Sequence, residues 1–350
     1  MTIISLIDYV FQHPAQLSEA WDDSNSMRYL DSHLDIEVIG RLNIKKPIYF
    51  EVADTSYCYK VTFLPNGWNW EAVVSYIERL SPDVIHIHGN HVWPDSPFYA
   101  STFRNNIKSL RMIFSPAGPS CGTPPFLRNF DYIIVNHKRQ IRRMKVGSEK
   151  DYNKVLVRKR CADPNMFYPI DREPRFDFIY VAGFVPGKRM DKMIDLVANT
   201  HYSLVILGDF TRTVEHYNQI RKLIESKGLA HRIVLNNFIS QTEIAEFFSY
   251  CKCFVWPNIK PENPETTTNR AIIEALACGK PLLLGEGAFR DSEFIVNGYN
   301  GLKYSTEMNF IECADRIISN YRFYSGNSIM VNERFNFQEN FIDFYNNLYG

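Results

Sequence analysis

Between Glu262 and Lys280 the chain sets a Pro- and Thr-rich loop against a short, almost entirely apolar segment carrying one carboxylate, Glu274. Its neighbours Ile272, Ile273, Ala275, Leu276 and Ala277 leave a helix here little surface to turn toward water, so Glu274 is expected to be buried. A lone buried acid is costly unless something binds it, and a carboxylate that accepts two vicinal hydroxyls is a means of holding a sugar. Thr266, Thr267 or Thr268, in the loop that ends at Asn269, can cap the helix and leave its backbone N–H groups for phosphate oxygens. Glu274 then lies two turns deeper, at most ~12 Å along the axis, within reach of a ribose attached to that phosphate. The run Cys278-Gly279-Lys280-Pro281 stops the helix and leads into the apolar strand Leu282–Leu284.

Two further constellations could do chemistry. Gly183 and Gly187 let backbone approach an anion, and Lys188 is expected at a helix start, where amide dipoles and the ammonium act together on a diphosphate. His86 and His88 alternate on the run Asp83–His88 and so share one face of a strand, with His91 following in its terminal loop. A satisfied core histidine is the reading for His86; a cleft role is open to His88 and His91. No His-x-x-x-His pair or acidic cluster points to a metal.

The elements that must position these groups follow from composition and pattern. With 350 residues, 45% apolar and 22% charged, the chain is a soluble globular protein long enough for two domains. A formal net charge of zero gives no reason to expect nucleic-acid binding. Lys138–Arg160 nevertheless holds ten Lys or Arg against Glu149 and Asp151, either a solvated face or a patch for anionic lipid headgroups or a phosphorylated acceptor. Seven scattered cysteines without a Cys-x-x-Cys pair fit a reducing cytosol and offer no zinc site. The start MTIISLIDYV lacks a signal-peptide pattern, and no run of eighteen apolar residues is long enough to span a bilayer.

Short apolar runs alternate with amphipathic stretches, the pattern of parallel α/β architecture. In the second half, strands are expected at Phe178–Ala182, Ser203–Leu207, Arg232–Leu235, Cys253–Trp256, Pro281–Leu284 and Gly301–Tyr304. Helices fall between them at Asp191–Ala198, Val214–Lys227 and Gln241–Tyr250, with the Glu274 helix after the fourth strand. That is a doubly wound sheet of about six strands, with ligands expected beyond the strands' carboxyl ends. In the first half, Ile48–Val52, Tyr59–Phe63, Asp83–His88, Arg111–Phe114 and Tyr132–Val135 read as extended, and Val73–Leu80 as a helix. The loop Asp163–Pro174 divides a first domain, 1–165, from a second, 166–325. The remainder, 326–350, is an aromatic-rich helical tail that could pack back on the first domain.

The second domain resembles the nucleotide-sugar domain of retaining glycosyltransferases of family 4, which have the two-Rossmann GT-B fold. The matching stretches are Val181–Lys188, LVILGDF at Leu204–Phe210, Ile233–Pro257, EALACGKP at Glu274–Pro281 and NGYNGL at Asn297–Leu302. ADPNMFYP at Ala162–Pro169 is similar to the family's interdomain segment, and FDYIIVNHK at Phe130–Lys138 to the last strand of its first domain. The resemblance implies that Lys188 holds the donor diphosphate and that Glu274, the second acid of a glutamate pair, binds the nucleotide ribose. The first acid falls on Thr266, with Glu265 one residue early and Glu262 a further candidate. Gly183 stands where the family usually has an arginine, Ala117 lies near an expected histidine, and MTIISLIDYVFQHP lacks the glycine-rich turn.

The resemblance thus implies a retaining, metal-independent glycosyltransferase of the cytoplasm or its membrane face, with no cofactor beyond its substrate. It would move sugar from a nucleotide-diphosphate sugar to a glycan or lipid-linked acceptor in cell-surface polysaccharide or glycoconjugate synthesis. Lys188, Glu265 and His88 are the catalytic candidates. Gly183, Gly187, Lys188, Thr266, Thr267, Thr268, Asn269 and Glu274 are the donor-binding candidates. The alternatives are a catalytically silent GT-B protein that binds a nucleotide sugar or a partner enzyme, and a sugar-nucleotide epimerase or phosphorylase on the same fold.

Overall fold

The computed structural model describes residues 1–11, 29–30, 34–42, 44–54, 57–89, 96–107, 110–116, 127–136, 141, 153–208, 213–237, 241–257, 270–286 and 293–350. They form two units, Met1–Lys159 with Gln338–Gly350, and Arg160–Phe337.

The first unit contains β1 (Thr2–Phe11), β2 (Asp35–Leu42), β3 (Ile48–Asp54), β4 (Tyr57–Pro65), β5 (Val84–Gly89), β6 (Arg111–Pro116), β7 (Tyr132–Val135) and β8 (Val155–Val157). Their order is β3-β4-β2-β1-β5-β6-β7-β8, parallel except where β3 runs against β4. The helix Trp70–Arg79 begins earlier than the apolar pattern suggested because the Asn69 side chain accepts from the Ala72 N–H at 2.9 Å and caps it. β2 is absent from the sequence reading because Glu37 interrupts its apolar run. That acid is buried, and the neighbouring β4 satisfies it through the Thr62 hydroxyl at 2.5 Å and the Lys60 ammonium at 3.2 Å.

The second unit contains β9 (Phe176–Val181), β10 (Leu204–Gly208), β11 (Ile233–Asn237), β12 (Cys251–Trp256), β13 (Leu282–Gly285) and β14 (Gly301–Tyr304). They pair in parallel in the order β11-β10-β9-β12-β13-β14, the doubly wound sheet expected. β12 and β13 are almost wholly buried, as central strands covered on both faces must be. Cys251 and Cys253 are fully buried free thiols in β12, and burial pushes both above the usual cysteine range.

The unit boundaries differ from those expected. Cys161 and Ala162 pack against the second core, which moves the division from 165/166 to 159/160. The helix Tyr321–Asn332 also stays with the second unit, anchored by buried Tyr324 and Val331. Ser325 and Ser328 strengthen that anchor by donating to the carbonyls of Gly279 at 2.6 Å and Lys280 at 3.0 Å. Only Gln338–Gly350 joins the first unit.

Several glycines in the family-like stretches serve the fold itself. A Cβ on Gly208 would stand 1.9 Å from the Ala182 carbonyl oxygen, and one on Gly301 would stand 2.1 Å from that of Leu282. Gly279 (φ 68°) ends the Glu274 helix in a left-handed turn, with Gly279 N–H on the Leu276 carbonyl and Lys280 N–H on that of Ala275. Gly183 and Gly187 differ: a Cβ there meets nothing within 4 Å among the described residues. Gly208→Ala and Gly301→Ala should therefore lose about 1–3 kcal/mol or more of stability. Gly183→Ala and Gly187→Ala should stay within about 0.5 kcal/mol, all four read by chemical denaturation.

Candidate functional site

In the second sheet the winding direction reverses between β9 and β12: β10 and β11 continue to one side, β13 and β14 to the other. Loops after strands flanking such a reversal splay apart and leave a crevice at the carboxyl ends. Lys188 lies in the loop after β9, and the Glu274 helix follows β12.

The loop after β9 is held from below. Phe184 is fully buried, edge-on to Tyr217 at 5.2 Å, and its carbonyl accepts from the Thr213 hydroxyl. Pro186–Lys188 form a single 3₁₀ turn, and Arg189 (φ 53°) reverses the chain into the helix Met190–Ala198. Lys188 thus precedes the helix by two residues, and the first helical turn already carries Asp191, ion-paired with Arg189 at 3.2 Å. The Tyr180 hydroxyl donates to the Lys188 carbonyl at 2.6 Å, and the Lys188 ammonium lies 5.4 Å from the centroid of the Trp256 ring.

Glu274 is 4% exposed, as its apolar neighbours required. It is not a lone acid, however. Arg270, one turn earlier, places Nε 2.6 Å from Glu274 Oε1. The helix runs Arg270–Ala277, so Glu274 stands only ~6 Å along the axis from its first residue. Glu262, Glu265, Thr266, Thr267, Thr268 and Asn269 lie outside the described residues, as do His91 and Ala117. Sequence reasoning missed Arg270, although its i,i+4 spacing from Glu274 was visible. It also missed Tyr180 and Trp256, which read only as strand residues.

In the first unit, His86 and His88 share a face, their ring centroids 3.8 Å apart. Both are buried. His86 contacts the Tyr349 hydroxyl through Nδ1 and the Ser115 hydroxyl through Nε2, each at 2.7 Å, while His88 Nε2 lies 3.0 Å from the Ser5 hydroxyl. His88 is therefore enclosed beside His86 and Ser5, and it is His86 that meets Gln338–Gly350. Arg158, counted in the sequence among a basic surface run, is likewise 5% exposed, its guanidinium 5.2 Å from the Tyr345 ring. Much of that run, including 142–152, lies outside the described residues. Burial, then the Arg158 charge, lowers the His86 pKa well below the usual imidazole value; burial, then His86 and Arg158, does the same for His88.

Among the described residues, no group of three or more His, Cys, Asp or Glu could hold a metal ion, and no helix is long and apolar enough to cross a membrane.

Residues 167–323 match the model of a family described as glycosyl transferases group 1. An uncharacterised glycosyltransferase of Methanocaldococcus jannaschii is 29% identical over 152 residues, 43% of this chain. The match spans 39% of that relative's length. Among solved structures, sucrose-phosphate synthase from Thermosynechococcus elongatus aligns with a TM-score of 0.72 at 15% identity, covering 100% of this chain and 99% of its own. HepE of Anabaena, in complex with UDP, gives 0.68 at 15% identity, covering 100% and 98%. The fold class is GT-B, as the sequence resemblance implied.

The buried histidines make one prediction. Their folded pKa values are depressed, so their contribution to stability is complete above the unfolded value of about 6.5 and declines as pH falls below it. Lowering the pH from 7.5 to 5.5 should therefore destabilise the first unit. Urea titrations at both pH values should show this loss, and His86→Gln should have a shallower pH dependence.

Proposed function

We propose, from the premise that this GT-B chain carries a group 1 glycosyltransferase domain at 167–323, that it is a retaining glycosyltransferase using a nucleotide-diphosphate sugar. The observation that carries this reading is the placement of Lys188 and the Glu274 helix on the two loops flanking the β9/β12 reversal. Glu274 would accept hydroxyls of the nucleotide ribose, its carboxylate oriented by Arg270. Lys188 would meet the diphosphate, with Gly183 and Gly187 admitting it: among the described residues, neither crowding nor a left-handed backbone calls for glycine there. Of the loop candidates, Glu265 or Glu262 would serve as the first acid of the pair, and Thr266, Thr267, Thr268 and Asn269 would line the phosphate end.

Negative charge grows on the diphosphate as its bond to the sugar breaks, and a fixed cation at that oxygen lowers the barrier. In this reading the cation is the Lys188 ammonium, and no metal is invoked. The acceptor attacks from the face the diphosphate leaves, and the departing phosphate oxygen takes its proton, so no protein nucleophile is required. His88, enclosed as it is, has no part in this scheme. The acceptor is a glycan or a lipid-linked glycan at the cytoplasmic side of the membrane, in polysaccharide or glycoconjugate synthesis. HepE has been solved with UDP and with UDP-glucose, which makes uridine donors the first to try.

A thermal-shift screen of UDP-, GDP-, ADP- and CDP-sugars tests the donor class; a ligand at a hundred times its dissociation constant adds about 2.7 kcal/mol. No stabilisation by any of them would remove the reading. With the responding donor, Lys188→Ala should lower turnover by about 10²-fold or more. Glu274→Gln should weaken donor binding in calorimetry by about tenfold, the worth of a hydrogen bond to a charged group.

A further inference from the structure

The donor-site reading gives Lys188 a task but leaves unexplained what holds its ammonium in place. A lysine ends in a flexible four-carbon stem, and a cation that must await a leaving group is useful only if that stem is ordered. The described structure orders it at two points. At the backbone, the Tyr180 hydroxyl donates to the Lys188 carbonyl at 2.6 Å. At the tip, Nζ stands 5.4 Å from the centroid of the Trp256 ring, within the range of a cation–π contact.

Trp256 is itself fixed on several sides. It is fully buried, its ring 4.9 Å from that of Tyr180 and stacked at 20° on that of Phe254, 6.3 Å away. Its carbonyl accepts from the Tyr304 hydroxyl at 3.0 Å. Buried aromatic side chains of β9 and β12 thus pack together beneath the lysine.

We propose that Trp256 is a positioning residue for Lys188, holding its ammonium in place through the face of its ring. This rests on the reading that Lys188 receives a diphosphate. An aromatic face occupies one side of the ammonium only. The anion then meets a cation whose position is already set.

The test replaces Trp256, by site-specific incorporation, with tryptophans bearing one to four ring fluorines. These keep the shape of the ring and progressively weaken its quadrupole. Affinity for UDP and for inorganic pyrophosphate is measured by calorimetry in the full chain. Affinity should fall stepwise along the series, by about tenfold overall. The same series in a Lys188→Ala background should be flat, and melting temperatures should not change. Affinity that stays constant across the fluorinated series, while Lys188→Ala still weakens binding, overturns the proposal alone, whatever Trp256→Leu does to the fold. Equal binding by wild type and Lys188→Ala removes the donor-site reading and this inference with it.

Discussion

Cys251 lies opposite Phe176, and Phe254 opposite Ile179, in the parallel pairing of β9 with β12. These strands are distant in sequence, yet their register decides where each residue of the candidate site goes. Side chains alternate across a sheet, so a slip of one residue would send every side chain of β12, the Trp256 ring among them, to the opposite face. The slip is opposed because Phe178, Ile179, Tyr180 and Cys253 to Trp256 are all fully buried and must keep their partners on both faces. Hydrophobic burial thus sets a polar geometry that no single polar contact could fix.

The second unit was legible because its strands are short apolar runs with helices between them, and the structure shifts their ends by only one or two residues. β2 was hidden by Glu37, a charge buried in mid-strand whose partners on β4 no local pattern announces. At the site, the burial of Glu274 followed from its neighbours, but it is paired rather than the lone acid expected. Arg270 stood at the helical spacing and was overlooked because the reasoning followed apolar residues. Trp256 could not have been singled out: a buried aromatic that meets a lysine from another strand's loop has the same sequence signature as one that fills space.

The histidine strand carries a related lesson. Period-two alternation correctly put His86 and His88 on one face, and the strand end suggested access to a ligand. What closes over His86 is Tyr349, 263 positions away. Periodicity says which side chains share a surface; it says nothing of what later chain comes to cover that surface. Two neutral imidazoles with hydroxyl partners form a buried polar core whose members are all held by nonlocal contacts, the most difficult kind to foresee from local pattern.

That Gln338–Gly350 belongs with Met1–Lys159 makes the first unit discontinuous, with the whole of Arg160–Phe337 inserted in it. During synthesis the strands that emerge earliest must wait for a segment that emerges after the entire inserted unit. The guanidinium of Arg111, which donates to the Leu348 carbonyl at 2.8 Å, reaches its acceptor only then. The inserted unit, made of consecutive residues, can fold as soon as it leaves the ribosome. Order of translation and order of completion are therefore reversed, and the polar cluster around His86 stays open until the last residues of the chain arrive.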